Sequence, residues 1–238
     1  GYGDDSWTKE AVRKIKEILV SDCEPLFVFN GTGSNVIALQ LLTRPYNSII
    51  CAETAHVYVD ECGSPVKMTG CQIRPVATPD GKLTPELIVP YLHGFGDQHH
   101  SQPGAVYLSE CTELGTIYTP EELRAITALA HQHGMRVHMD GARIANACAA
   151  LGLPLKALTV DCGIDVLSFG GTKNGLMMGD CVIVFDDSLK VEARFVRKQS
   201  AQLASKMRYL SCQFTAYLTE ELWLKNATHA NAMAKRLY

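Results

Sequence analysis

The chain predicts an α/β layered sheet, and three observations carry that expectation. Short apolar runs alternate with helix-length amphipathic stretches from end to end of its 238 residues. Two of the apolar runs, Val137-His-Met139 and Val166-Leu-Ser-Phe169, stop abruptly at a polar segment rich in glycine. The length suffices for a full core, and a hydrophobic content of 47% with 20% charged residues lies in the globular range.

The elements follow in order. Val12, Ile15, Ile18 and Leu19 make one apolar face of an opening helix. Leu26-Phe-Val-Phe29 reads as a buried strand, Asn35 to Leu42 as a helix and Ser48-Ile-Ile-Cys51 as a second strand. Residues 57 to 68 are mixed but helical in character. Gln72-Ile-Arg-Pro75 is a short extended piece, and Pro79-Asp-Gly81 is a turn. Thr84-Pro85-Glu86 starts a helix, with threonine as cap and proline at its first position. His93 to Gly104 shows no period and reads as a loop, followed by a strand over Ala105–Leu108. Thr119 and Glu122 have the spacing of a capping box, opening a helix that Gly134 closes. Val182-Ile-Val-Phe185 is the last strand, and everything from about 187 reads as helical. The strandless, basic character of the last fifty residues suggests that the chain leaves the sheet there. A start at Gly1-Tyr2-Gly3, without an initiator Met, suggests a fragment or a cropped domain.

Composition removes several classes of function. A net charge of −3 gives no reason to expect nucleic acid or an anionic membrane as partner. No apolar run reaches the roughly 18 residues of a membrane span, and the first residues lack the pattern of a signal peptide. The nine cysteines form no Cys-x-x-Cys, and several lie within strand-like runs, so they read as reduced, buried thiols of a cytoplasmic protein. His93, Asp97, His99 and His100 crowd one loop, while His131 and His133 fall on different helix faces. With no helical i, i+4 pair and no Cys/His ladder, no metal site is expected.

The chemistry gathers at strand ends. Arg136-Val-His-Met-Asp140-Gly-Ala-Arg143 delivers a carboxylate, and Asp165-Val-Leu-Ser-Phe-Gly-Gly-Thr-Lys173-Asn delivers a lysine. Pyridoxal 5'-phosphate (PLP) enzymes require this pair: the lysine forms the Schiff base, and the acid keeps the pyridine nitrogen protonated so that the ring accepts electrons. Glycines around Lys173 allow a cofactor to approach the backbone. Asp140 partners the pyridine nitrogen or caps the helix that follows, two roles competing for the same oxygens. Arg143 faces the same site, toward the cofactor's phenolic oxygen or a substrate carboxylate, or else makes a surface salt bridge. Asn30-Gly31-Thr32-Gly33-Ser34-Asn35 joins a strand to a helix. It is a simple tight turn or a phosphate cradle, with Gly31 and Thr32 as the contacts. His56 follows a strand, where a ring stacks on the pyridine and relays a proton, or is merely structural. Glu110 and Glu113 end another strand and suit either proton transfer or support of His56 or Arg143.

At these residues the chain resembles the low-specificity L-threonine aldolase family, in the β-eliminating-lyase group of fold-type I PLP enzymes. Tyr2-Gly3-Asp4-Asp5, Asn30 to Asn35, Ala55-His56-Val-Tyr, His138 to Arg143 and Ser168 to Asn174 fall in family order, and the resemblance covers essentially the whole chain. It implies a three-layer PLP-dependent transferase-like large domain with a mostly parallel mixed sheet. Residues 1–205 would be that PLP-binding domain, and 206–238 would connect toward a small C-terminal domain. Lys173 is then the imine lysine, Asp140 the partner of the ring nitrogen and His56 the stacking ring. Gly31 and Thr32 hold the phosphate, and Arg143 lies near the substrate carboxylate. One position departs: many members carry a histidine where this chain has Glu113. The expected reaction is retro-aldol Cα–Cβ cleavage of L-threonine or L-allo-threonine to glycine and acetaldehyde, in a homodimer or homotetramer. Another reaction of the same class on an amino acid, β-elimination or transamination, and a catalytically silent homologue are the alternatives.

Overall fold

A computed structural model describes all of residues 1–238. Seven strands form one sheet: β1 (Glu24–Val28), β2 (Asn47–Ala52), β3 (Gln72–Val76), β4 (Gln102–Ser109), β5 (Arg136–Gly141), β6 (Val166–Phe169) and β7 (Asp180–Val184). Their order is β1-β7-β6-β5-β4-β2-β3. β7 runs antiparallel to both of its neighbours, and every other pair is parallel, giving the mostly parallel mixed sheet expected. Successive residues of β6 and β7 are all buried, so both faces of the central sheet are covered and helices form the outer layers.

Local chemistry explains the helix ends that matter. Thr119 accepts from the Glu122 amide at 3.2 Å and the Glu122 carboxylate accepts from the Thr119 amide at 2.8 Å, so the capping box closes and the helix Pro120–Gln132 feeds β5. The helix Gly31–Leu42 starts four residues before the expected Asn35. Asn30 caps it, accepting from the Gly33 amide at 2.8 Å, so the glycine-rich run is its first turn and not a separate loop. Nine of its twelve residues are buried, because it lies between the sheet and the helices Ser64–Thr69 and Lys190–Gln199. Two other expectations need correcting. The segment 57–68 is two short helices, His56–Val59 and Ser64–Thr69, broken at Gly63, where φ is +67°. The loop expected over 93–104 ends early, because Gln102 and Pro103 pair with Asn47 and Ser48 and lengthen β4.

The helices Arg208–Leu218 and Leu222–Leu237 pack back onto this body. Phe214 meets Phe27 of β1 at 5.1 Å between ring centroids, and Trp223 meets Phe169 of β6 edge-on at 6.3 Å. The nine cysteines are free, and six are buried. No helix is long and apolar enough to cross a membrane.

Candidate active site

The carboxyl ends of β4, β5 and β6 lie side by side, with Ser109, Asp140 and Ser168 in register. A cavity of about 250 Å³ opens beyond them, lined by Gly31, Thr32, Asn35, His56, Asp140, Lys173 and Asp180 among others. That is near the small end of ligand pockets, roughly 300–1,000 Å³. Five of the six residues singled out in the sequence therefore meet in one place. Arg143 does not line it: the side chain is exposed and makes no ion pair, just before the helix Ile144–Leu151.

Asp140 is the most constrained of these groups. Its Oδ2 accepts from the Tyr107 hydroxyl at 2.6 Å and from Asn35 Nδ2 at 2.9 Å. Its Oδ1 accepts from the Ala142 amide at 3.0 Å, so the carboxylate tightens the turn beyond β5 and does not cap the next helix. Burial pushes its pKa up, yet the Tyr107 and Asn35 bonds, the nearby His138 and the Ala142 amide outweigh it and hold the carboxyl below its ordinary value. No lysine or arginine neutralises it; every direct contact is with a neutral donor. The carboxylate thus stays ionised and keeps capacity to pair with a cationic N–H brought into the cavity. Behind it, His138 donates from Nδ1 to the Val166 carbonyl at 3.1 Å, and its Nε2 lies 3.0 Å from Asn35 Oδ1. Burial drives the His138 pKa down to about 4, although both ring nitrogens face oxygens that only accept.

Lys173 lies in a 3₁₀ turn, Thr172–Asn174, reached from β6 through Gly170 and Gly171. A Cβ on Gly170 would stand 2.5 Å from the Ala142 carbonyl oxygen, so only glycine lets this loop cross the segment that follows Asp140. Asp180, the first residue of β7, ties the loop down by accepting from the Gly171 amide at 2.8 Å. Burial raises its pKa despite the bonds from Gly171 and Thr172. Beside Asp180, whose Oδ2 would lie 3.6 Å from a Cβ on Gly31, the Gly31 and Thr32 amides begin a twelve-residue helix and so lack intrahelical acceptors.

His56 begins the short helix beyond β2 and is held at two points. Its amide donates to Glu113 Oε1 at 2.8 Å, which also accepts from Ser109 Oγ at 2.7 Å. Its Nδ1 lies 3.0 Å from Oε1 of the buried Glu61. Glu113 thus supports His56, while Glu110 turns away from the cavity and accepts from the Tyr118 amide at 3.1 Å. Asn35, Tyr107, Glu61 and Asp180 are the participants that sequence reasoning missed. Asn35 had a signal, as an amide within an otherwise apolar helical run that needed a partner.

Similarity to known proteins identifies the family. The family model described as Beta-eliminating lyase matches residues 1–238. A low specificity L-threonine aldolase from a Pseudomonas species is 44% identical over 237 residues, covering 99% of this chain and 68% of the relative. The Pseudomonas aeruginosa protein of the same name gives the same figures. Among solved structures, a Leishmania major threonine aldolase superimposes with a TM-score of 0.93 at 35% identity, over 99% of this chain and 69% of that one.

Proposed function

The chain belongs to the β-eliminating lyase family, among its low-specificity L-threonine aldolases, and from that premise we propose a PLP-dependent aldehyde-lyase that cleaves L-threonine or L-allo-threonine to glycine and acetaldehyde. The observation that carries the site assignment is the convergence of Asp140, Lys173, His56 and the Gly31–Thr32 helix start on one cavity.

The residues present fit the cofactor. Asp140 is a buried, ionised carboxylate with only neutral partners, suited to a protonated pyridine nitrogen. The first amides of the Gly31–Leu42 helix suit a phosphate, favoured there by the helix dipole. Lys173 lines the cavity with an exposed side chain. When bound, PLP supplies an aldehyde for the substrate amine and a ring that accepts the electron pair released as the Cα–Cβ bond breaks.

The chain's own groups do the rest. Lys173 Nζ is the amine that would hold the cofactor and yield its place to the substrate. The Asp140 carboxylate would hold a proton on the ring nitrogen, with the bonds from Tyr107 and Asn35 lowering its own affinity for that proton. His56, on the cavity wall, would cover the ring and accept the β-hydroxyl proton, directly or through water. Arg143, three residues beyond Asp140, is the proposed cation for the substrate carboxylate. Residues 1–205 are proposed as the cofactor-binding unit, with 206–238 as a helical connection, in an enzyme that works as a homodimer or homotetramer.

The test is chemical trapping. Borohydride reduction of the PLP-loaded protein should fix the cofactor on Lys173, and threonine should yield glycine and acetaldehyde. Lys173→Ala should lose both. Retained turnover in that variant, or keto-acid products, would sink the assignment.

A further inference from the structure

We propose that Glu61 is the positioning residue for His56. Its buried carboxylate grips the imidazole at Nδ1, fixes the tautomer that carries its proton there, and leaves Nε2 as the proton-accepting face of the ring. The inference rests on the cavity assignment just given and adds to it a residue outside the expected set.

Glu61 lies in the bend between the helices His56–Val59 and Ser64–Thr69, with a side chain wholly out of solvent. Oε1 receives Asn35 Nδ2 at 2.8 Å and faces His56 Nδ1 at 3.0 Å, while Oε2 has no partner. No lysine or arginine touches it. A buried carboxylate with one oxygen unpaired costs stability unless another role retains it.

The geometry defines that role. Oε1 lacks a proton to give while the group is ionised, so Nδ1 must donate, and a neutral imidazole then carries its lone pair on Nε2. Burial, together with the Asp140 charge, raises the Glu61 pKa against the Asn35 and His56 bonds. A proton taken up on the unpaired Oε2 still leaves Oε1 an acceptor, so the tautomer survives either state of Glu61. The ring is also fixed at its other end, because Glu113 holds the His56 amide at 2.8 Å.

Asn35 joins this arrangement to the cofactor-facing acid. Its Nδ2 donates to Glu61 Oε1 at 2.8 Å and to Asp140 Oδ2 at 2.9 Å. One buried amide therefore sets the distance between the carboxylate behind the ring and the carboxylate expected to face the cofactor. The charged and titratable groups around His56 are Glu61 and Glu113 at its two anchors, with Asp140, Lys173 and Asp180 around the same cavity.

The tautomer is measured directly, by long-range ¹H–¹⁵N spectra of the imidazoles in the protein without added cofactor. His56→Asn assigns the signal. Wild type should show Nδ1 protonated, and a wild-type ring protonated at Nε2 overturns the proposal whatever any variant does. In Glu61→Gln the amide end can donate to Nδ1 instead, so the Nε2–H form should gain population. With PLP supplied, that variant should lose roughly 10- to 100-fold in kcat at little change in KM, part of the 10²- to 10⁴-fold that a general base contributes. An unchanged tautomer with unchanged kcat in the folded variant refutes the role. Failure of wild type to take up PLP would instead refute the cavity assignment, and the tautomer would still decide for or against Glu61.

Discussion

Glu110→Gln should remove a pH dependence of folding stability while leaving threonine cleavage intact. Glu110 directly follows β4 and is wholly buried. Its Oε2 accepts from the Tyr118 amide, and its Oε1 has no partner. Burial pushes the carboxyl from 4.5 up to about 8, against the pull of the Tyr118 amide and the Lys82 charge. The folded protein therefore keeps this proton over a range in which the unfolded chain has lost it. Since the unfolded state then binds fewer protons, stability falls as pH rises from about 4.5 to about 8. That 3.5-unit gap, at about 1.4 kcal/mol per unit, sets an upper bound of about 5 kcal/mol. Local relaxation and water entry around the ionised group reduce the effect, so about 1–3 kcal/mol is expected between pH 5 and 8. Glutamine keeps the shape, cannot ionise and should remove the part of the slope that Glu110 supplies. Urea unfolding of both proteins at pH 5, 6.5 and 8 measures it, with the gap between them widening in favour of the variant. A gap that does not change with pH refutes the argument. Lost turnover in the variant would return Glu110 to the reaction.

Two further perturbations test the frame around the site. Gly170→Ala places a Cβ 2.5 Å from the Ala142 carbonyl oxygen and 2.6 Å from the Ala142 Cα, backbone atoms that cannot turn aside. A loss of about 2–4 kcal/mol is expected, with weaker PLP uptake as the Lys173 loop shifts; a melting temperature and PLP titration matching wild type would contradict the close packing. His138, driven from 6.5 down to about 4 by burial, should cost stability on the acid side. Below pH 6.5 the unfolded chain takes up a proton that the folded protein refuses. Stability should therefore drop by up to about 3 kcal/mol as pH falls from 6.5 to 4. His138→Gln should flatten that limb in denaturant titrations, and an unaltered limb would count against a neutral, buried ring.

What could be seen in the sequence was the covalent order of the site. Asp140 was legible because it ends a short apolar run and stands next to glycine, and Lys173 because it lies four residues beyond another such run, in a loop with glycines on both sides. The start of the Gly31–Leu42 helix was not. Glycine, threonine and serine in series read as a turn by composition, whereas the Asn30 side chain satisfies the Gly33 amide and starts the helix among them. Glu61 was hidden for a similar reason. Asp60-Glu61-Cys62-Gly63 has the polarity of an exposed bend, and only the fold shows that Glu61 turns inward, fully buried, while Asp60 does not. Tyr107 sat in an apolar strand run with nothing to say that its hydroxyl would reach Asp140.

Strand direction explains why these residues, far apart in sequence, share one edge. β4, β5 and β6 run parallel, so Ser109, Asp140 and Ser168 arrive together at their carboxyl ends. β7 runs the other way, and Phe169 at the end of β6 pairs with Cys181. The beginning of β7 therefore reaches the same edge, and Asp180 stands where it can hold the loop that carries Lys173. Had β7 been parallel, its first residue would lie at the far edge and the loop amides would need another acceptor. The reversal also exposes a cost. Asp140, Asp180 and Glu61 are buried acids packed around the same strand ends, and the charges of Asp180 and Glu61 are both disfavoured by that of Asp140. A core selected for stability alone would not gather three carboxylates without a fixed cation among them. Their retention is understandable if Lys173 and a cationic ring nitrogen supply the missing positive charge, so that binding the cofactor and relieving the repulsion are the same event.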